Sequence, residues 1–349
     1  MEAVAVALLA AASWQFSASS VEHSDALALS RWSDDDAAAQ VVPRGRRNIA
    51  YLERELRASY ASAAWGRWSL LTRQSARITA SRGALDLVVQ AEAGGRPDGD
   101  RRWAVDARYF GFEGSGIAWQ HGAGLGGGWR LDGGVQALML TRWREKRFQG
   151  DASYDAGTGS YRAALSAFEA SDKLDFPYRQ PYSGHGRAVL WNAAVAWQGD
   201  RLSAGLSLHD AGALRWRGLP QNASVLSTDT RSVDANGFVV YGPLIEGRNS
   251  QPDRRRSAPW QLRADARWQA APTTAFTAAA VHVPHFGALP ELGAEQVWGG
   301  WRGGITAHLH ERRVTLGLGW QGLQLRVGLD RPGSAQRSRE AAFTWQWPL

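Results

Sequence analysis

The sequence predicts an all-β protein, a closed antiparallel transmembrane β-barrel of about 14 strands, with roughly 12 to 16 allowed by the even-number pattern of such barrels. Three observations predict it. The dipeptide Trp-Gln occurs seven times, at Trp14, Trp119, Trp197, Trp260, Trp268, Trp320 and Trp345, mostly where an alternating stretch begins or ends. Segments of about ten residues alternate apolar and polar side chains, the sequence mark of a barrel strand. The longest run free of polar side chains, Ala3 to Ala12, is far short of the roughly 20 residues of a spanning helix. In a period-2 strand the two residues of a Trp-Gln pair point to opposite faces. An indole suits the lipid headgroup level, because its ring is apolar and its N–H stays wet. The pair therefore reads as Trp toward a membrane rim and Gln toward a wet interior.

Residues 1–12 read as the remnant of a secretory signal, with the small Ala10 and Ala12 near a cleavage point. Glu2 stands where a basic residue belongs and no Lys or Arg precedes Arg31, so a short buried strand is the alternative. From 13 to 349 the chain reads as one barrel domain with long loops near 22–46, 145–184 and 218–256. In its first half, 14–21, 47–60, 65–73, 83–93, 101–112, 117–131 and 135–144 read as strands. Segment 83–93 is included because Leu85, Leu87, Val89, Ala91 and Ala93 alternate with Asp86, Val88, Gln90 and Glu92. An excursion over 145–184 holds an extra hairpin around Ala156 to Gly159.

The second half alternates more clearly. Trp260, Leu262, Ala264, Ala266 and Trp268 alternate with Gln261, Arg263, Asp265, Arg267 and Gln269. Val189 to Trp197, Leu202 to Leu208, Val314 to Trp320 and Leu323 to Leu329 supply further apolar rows. Tight links at Gly199-Asp200, Ala270 to Thr273 and Gln321-Gly322 contrast with long ones at 218–256 and 331–338, as the two rims of a barrel require. Segment 286–313 is a loop or one more hairpin, 291–299 with 303–310. Chain direction then puts Trp197, Trp268, Trp320 and Trp345 on the tight-turn rim, joined by Trp14 if the first strand rises there; Trp119 stays unassigned. These five are the expected membrane girdle.

Phe343, Trp345 and Trp347 share one face of the last segment, which resembles the C-terminal aromatic signal of Gram-negative outer-membrane barrels. That signal implies recognition by the barrel assembly machinery; here Pro348-Leu349 follows it. Gly184-His185-Gly186 before an apolar strand, and His209-Asp210-Ala211-Gly212 followed by Trp216, resemble uncharacterised barrels related to TraF-like conjugation proteins and, more distantly, FadL-type transporters. The resemblance covers about 120–270 and implies a bacterial outer-membrane location.

The net charge is +7, and all but two of the 40 basic residues are Arg. They are scattered through alternating segments, whereas nucleic-acid binding calls for a clustered patch. No cysteine is present, which removes disulfides and thiolate metal sites. His308, His310 and Glu311 are the best metal-like group, yet without a second ligand set they read as a solvated turn, and no metal or cofactor is expected. Ser207 and His209 share a proposed inward face, but Asp210 should point away and cannot orient the imidazole, so no catalytic residue is assigned. Asp34-Asp35-Asp36 reads as a solvated loop. Arg254-Arg255-Arg256 could meet lipopolysaccharide phosphates or serve loop solubility.

The remaining candidates are inward charges. Arg263, Asp265, Arg267 and Arg326 would place both signs in a lumen, to tune ion selectivity or to plug the barrel by pairing. The expectation is a monomeric, non-enzymatic barrel among outer-membrane lipids, giving passive passage or binding to a solute through a polar, Arg-containing lumen. A lipid-modifying barrel enzyme and a soluble all-β carbohydrate-binding protein are the alternatives.

Overall fold

The computed structural model describes residues 12–229, 231–233 and 239–348. The signal reading of the first residues thus lies, apart from Ala12, outside the described residues. The strands are β1 (Ser13–Ser24), β2 (Arg47–Ser62), β3 (Gly66–Ser81), β4 (Arg101–Gly126), β5 (Trp129–Asp155), β6 (Ser160–Ser171), β7 (Gly186–Gln198), β8 (Leu202–Trp216) and β9 (Gln221–Ser227). Next come the short β10 (Arg231–Val233), β11 (Val239–Tyr241), β12 (Ile245–Ser250) and β13 (Arg254–Ser257). The chain closes with β14 (Gln261–Ala271), β15 (Thr274–Val283), β16 (Gly287–Trp298), β17 (Trp301–His308), β18 (Arg313–Trp320), β19 (Leu323–Leu329) and β20 (Ser338–Pro348).

Fourteen of these, β1–β5, β7, β8 and β14–β20, form a closed antiparallel barrel. Closure is direct: β1 pairs with β2 on one side and β20 on the other, Trp14 lying opposite both Tyr60 and Trp347. No strand edge is left along this seam, which satisfies the backbone without water. Segment 286–313 is a hairpin, β16 with β17, joined at Gly299-Gly300. One rim carries short turns, including Ala63 to Trp65, Gly127-Gly128, Gly199 to Arg201, Pro272-Thr273 and Gln321-Gly322. The opposite rim, here called the upper one, carries the long connections.

Two expectations need correction. Segment 83–93 is an α-helix, α1 (Arg82–Ala93). Its capping overrides the alternation: the Ser81 hydroxyl accepts the Ala84 N–H, and Gly94 ends the helix in the left-handed region at φ 66°. Those are standard start and stop signals. Ala84 is buried, with Leu87 packed on the same cluster, the three-residue spacing of a helix face. Segments 101–112 and 117–131 are not two strands, because β4 runs through both and turns only at Gly126 to Gly128. Gly114 and Gly116, between the two expected segments, mark close approach: a Cβ on Gly116 would meet the Ala137 carbonyl oxygen at 1.9 Å. The expected strand 135–144 is accordingly the middle of β5, which continues past the barrel and turns at 156–159 into β6.

β5 exchanges neighbours on the way up, pairing with β7 over Trp129–Leu140 and with β6 over Arg144–Asp155. Strand β8 does the same, from β14 to β13. Strands β6, β9 and β12 extend the upper β4–β5 ribbon, and α1 covers Trp103, Val105, Ala152 and Tyr154 on it.

The outer face is apolar. Phe16, Leu70, Ile117, Met139, Val189, Leu206, Phe276, Leu292, Ile305, Leu316, Leu325 and Val327 all lie between 40% and 67% exposed around the barrel. Such a continuous exposed belt is far beyond what a water-facing surface carries. Closed, antiparallel, even-stranded, greasy outside and tight-turned at one rim, the chain has the architecture of an outer-membrane β-barrel.

Candidate functional site

The interior has two unlike walls. On β3–β8 the inward positions Leu71, Phe110, Phe112, Leu138, Leu140, Trp143, Leu190, Leu214 and Trp216 form one buried cluster. A fully polar lumen is therefore not what the chain builds. On β2, β14 and β16–β20 several inward positions are charged, and pairing is dense.

Arg263, Asp265, Arg267 and Arg326 are brought together. They line one cavity of about 760 Å³ at the tight-turn end, with Glu291, Glu295, Arg302 and Thr306. Arg263 reaches Glu291 at 2.8 Å and Arg267 reaches Glu295 at 3.1 Å, each across one intervening strand. Arg326 meets Glu340 at 2.9 Å. Asp265 stands 4.0 Å from Arg263, a loose contact. Arg302 has no ion-pair partner among the described residues. Glu291 and Glu295 escaped the sequence reading, although their period-2 spacing around Gly293 announces a shared face.

Above the cavity the charges close into a network. His308 lies 3.3 Å from Glu291 and 3.2 Å from both Arg313 and Thr315. Arg313 bridges Glu311 at 2.7 Å and Glu340 at 3.2 Å, and the Tyr51 hydroxyl donates to Glu311. His308, Glu311, Arg313, Thr315 and Glu340 are all buried. Burial of so many charges is tolerable only because each has a partner. The expected solvated turn at His308, His310 and Glu311 is thereby corrected: β17 ends at His308, so His310 leaves the strand face and turns to Asp25, 2.9 Å away.

A second strut crosses the lumen itself. Arg73 on β3 makes a bidentate pair with Asp210 on β8, at 2.5 and 2.6 Å, and also touches Glu53 at 3.2 Å. Strands β4, β5 and β7 separate the two in the wall. Asp210 was expected to face out; a bulge opposite Asn192 turns it inward, with φ 59° and its N–H on the Asn192 side-chain oxygen at 2.8 Å. Ser207 and His209 do meet, at 2.9 Å. With Asp210 committed to Arg73, no carboxylate among the described residues orients that imidazole.

Gly186 and Gly212 of the quoted motifs have a packing reason, whereas Gly184 has open space. A Cβ on Gly186 would meet the Trp216 ring at 2.6 Å, and the Trp216 indole donates to the Ser183 carbonyl at 2.8 Å. Arg254 and Arg256 are not free for phosphate, since both hold the buried Glu145, at 2.8 and 2.6 Å.

Six of the seven Trp-Gln pairs fall at the tight-turn rim; Trp260, just before β14, lies at the opposite one. Trp14 begins β1, while Trp197, Trp268, Trp320 and Trp345 lie at or near the ends of β7, β14, β18 and β20. The unassigned Trp119 belongs there too: it faces Trp68 and its N–H donates to the Trp65 carbonyl, in the β2–β3 turn, at 3.0 Å. Several partner glutamines bond to the same rim. Gln269 donates to the Thr274 carbonyl at 3.3 Å and Gln346 to the Ser13 hydroxyl at 3.4 Å.

No family model matches the chain, and no curated protein matches it. Among solved structures it is similar to the Ralstonia pickettii toluene transporter TbuX, at 8% identity over 97% of this chain and 90% of that one, with a TM-score of 0.35. The P. putida toluene transporter TodX gives 10% identity, coverage of 97% and 90%, and a TM-score of 0.40. A Pseudomonas aeruginosa FadL homologue gives 10%, coverage of 96% and 89%, and 0.25. Likeness at this level carries nothing about a solute.

Proposed function

We propose that this chain is a bacterial outer-membrane barrel that admits a small polar solute to a vestibule at its tight-turn end and passes it only when the upper lumen rearranges. The carrying observation is the cavity of about 760 Å³ lined by Arg263, Asp265, Arg267, Arg302 and Arg326. The apolar belt and the rim indoles support the membrane location, with Trp14, Trp119, Trp197, Trp268, Trp320 and Trp345 as girdle residues. The mixed charge of the vestibule favours solutes bearing an anionic group, because Arg302 is a cation with no ion-pair partner among the described residues and the guanidinium fork suits carboxylate or phosphate. The activity is non-enzymatic, and lipids of both leaflets are its structural partners.

Planar-bilayer recording of the folded, inserted protein tests this reading. The expected result is small, fluctuating conductance whose anion preference drops in Arg302→Gln. Complete silence together with no binding of small carboxylates would remove it.

A further inference from the structure

A separate group of side chains sits at the upper mouth, away from the vestibule. His23 is the last but one residue of β1 and faces inward, Asp25 lies two residues further on, and His310 comes from the β17–β18 turn, with β18, β19 and β20 standing between in the wall. The two Nε2 atoms converge on one carboxylate: His23 at 3.1 Å from Oδ1, His310 at 2.9 Å from Oδ1 and 3.1 Å from Oδ2. One ligand atom from each of the three residues lies within 4.8 Å of the others.

These spacings match shared coordination. Metal–nitrogen and metal–oxygen bonds of about 2.0–2.2 Å set two ligand atoms about 3 Å apart at a right angle and about 3.4 Å apart at the tetrahedral angle. The rings are also held in place. The Asp25 Oδ2 accepts the Ile49 N–H at 2.9 Å, which orients the carboxylate. Phe286 packs edge-on against His310 at 4.9 Å and Tyr51 lies 5.6 Å from His23. Such outer support is the usual companion of a metal site. His23 and Asp25 are buried whereas the His310 side chain is 30% exposed, which leaves an entry path from solvent.

We propose that His23, Asp25 and His310 bind one divalent first-row transition ion, zinc above all, which clasps the end of β1 to the β17–β18 turn across the upper mouth. Two imidazoles and one carboxylate are the ligand set these ions accept, with a fourth position left for water. Calcium and magnesium are disfavoured, since they require mainly oxygen ligands. Arg337 is spent on the Asp25 main-chain oxygen at 2.6 Å, and Arg44 stands 3.9 Å from Oδ1. That nearby positive charge sets the affinity below that of a purely neutral shell.

The test uses the full chain without a polyhistidine tag, folded in detergent micelles and checked by heat-dependent gel mobility. Zinc chloride is titrated in competition with a chromogenic chelator. One zinc per chain is expected, weakened on the order of 100-fold or more in His310→Ala and in Asp25→Asn, by comparison with the 10–100-fold typical for loss of a mere supporting residue. His308→Ala, in the other network, should bind zinc as the native chain does. X-ray absorption of the loaded protein should show only nitrogen and oxygen neighbours with imidazole scattering. The proposal falls if the folded native chain takes up no zinc, or if folded His310→Ala binds it equally well.

Discussion

At the scale of single residues, local structure is decided by a few side chains whose partners lie far away in sequence. His285 is one. It occupies the β15–β16 turn in the left-handed region, at φ 67°, with the Arg108 guanidinium 3.2 Å from its ring and Arg47 donating to its carbonyl. Partial burial, then the Arg108 charge, lower its pKa from the ordinary value, with Asp106 acting the other way. A histidine whose folded pKa lies below its unfolded one binds fewer protons when folded, so its contribution is intact at pH above the unfolded value, near 6.5, and is lost as pH falls below it. Amide protection at 285–287, exchange slowed relative to an unstructured peptide at the same pH, should therefore fall between about pH 7 and pH 5, and His285→Asn should flatten that dependence. Gly186 makes a steric case. Any larger residue drives into the Trp216 ring and the Arg215 carbonyl, 2.6 and 2.8 Å from a built Cβ. Gly186→Val should cost about 1–3 kcal/mol, the usual range for overpacking, read as a lower urea midpoint of the folded barrel. An unchanged midpoint would show that the ring has room to move.

At the scale of elements, alternation located strands well and failed where a second signal competed with it. The rows ending at Trp197, Trp268 and Trp320 have one apolar face throughout, so period 2 and turn chemistry agreed. In 83–93 an equally good alternation was present, yet Ser81 and Gly94 supplied a cap at each end and Ala84 with Leu87 supplied the helical stripe. Ser81 does more than cap: its hydroxyl also donates to the Ala104 carbonyl at 2.8 Å and accepts the Asp106 N–H at 3.1 Å. Ser81→Ala should therefore cost about 0.5–2 kcal/mol, with exchange rising at Arg82 to Ala84 and along the upper edge of β4 together. Confinement to the helix alone would mean that the β4 bonds do not depend on Ser81. Lumen charges followed the same logic. Arg263, Asp265, Arg267 and Arg326 were legible because period 2 forces them onto one face. Arg73 with Asp210, 137 residues apart and dependent on a bulge, was not.

At the scale of the whole molecule, the closed wall and the filled upper interior pull in different directions. A barrel without edges is rigid and kinetically persistent, whereas the proposed passage of a solute through it requires the struts inside to part. Two layers must move: the apolar cluster on β3–β8 and the charged network around Arg313 and Glu340. The Arg73–Asp210 bridge joins the two, because Arg73 lies 5.8 Å over the Phe112 ring while its guanidinium holds Asp210 and Glu53. Removing Arg73 alone strands two carboxylates in a confined space, and Arg73→Ser should destabilise by about 3–5 kcal/mol, as breaking a buried pair does. Removing Asp210 with it, in Arg73→Ser/Asp210→Ser, relieves most of that penalty and leaves a gap where the strut crossed the lumen. The double variant should thus fold and run on gels with native heat-dependent mobility, yet conduct more than the native chain in the same bilayer. If it folds and conducts no better, the bridge is only structural, and the barrier to passage lies wholly in the apolar cluster, where Leu140→Ala, Leu190→Ala or Leu214→Ala should then open it.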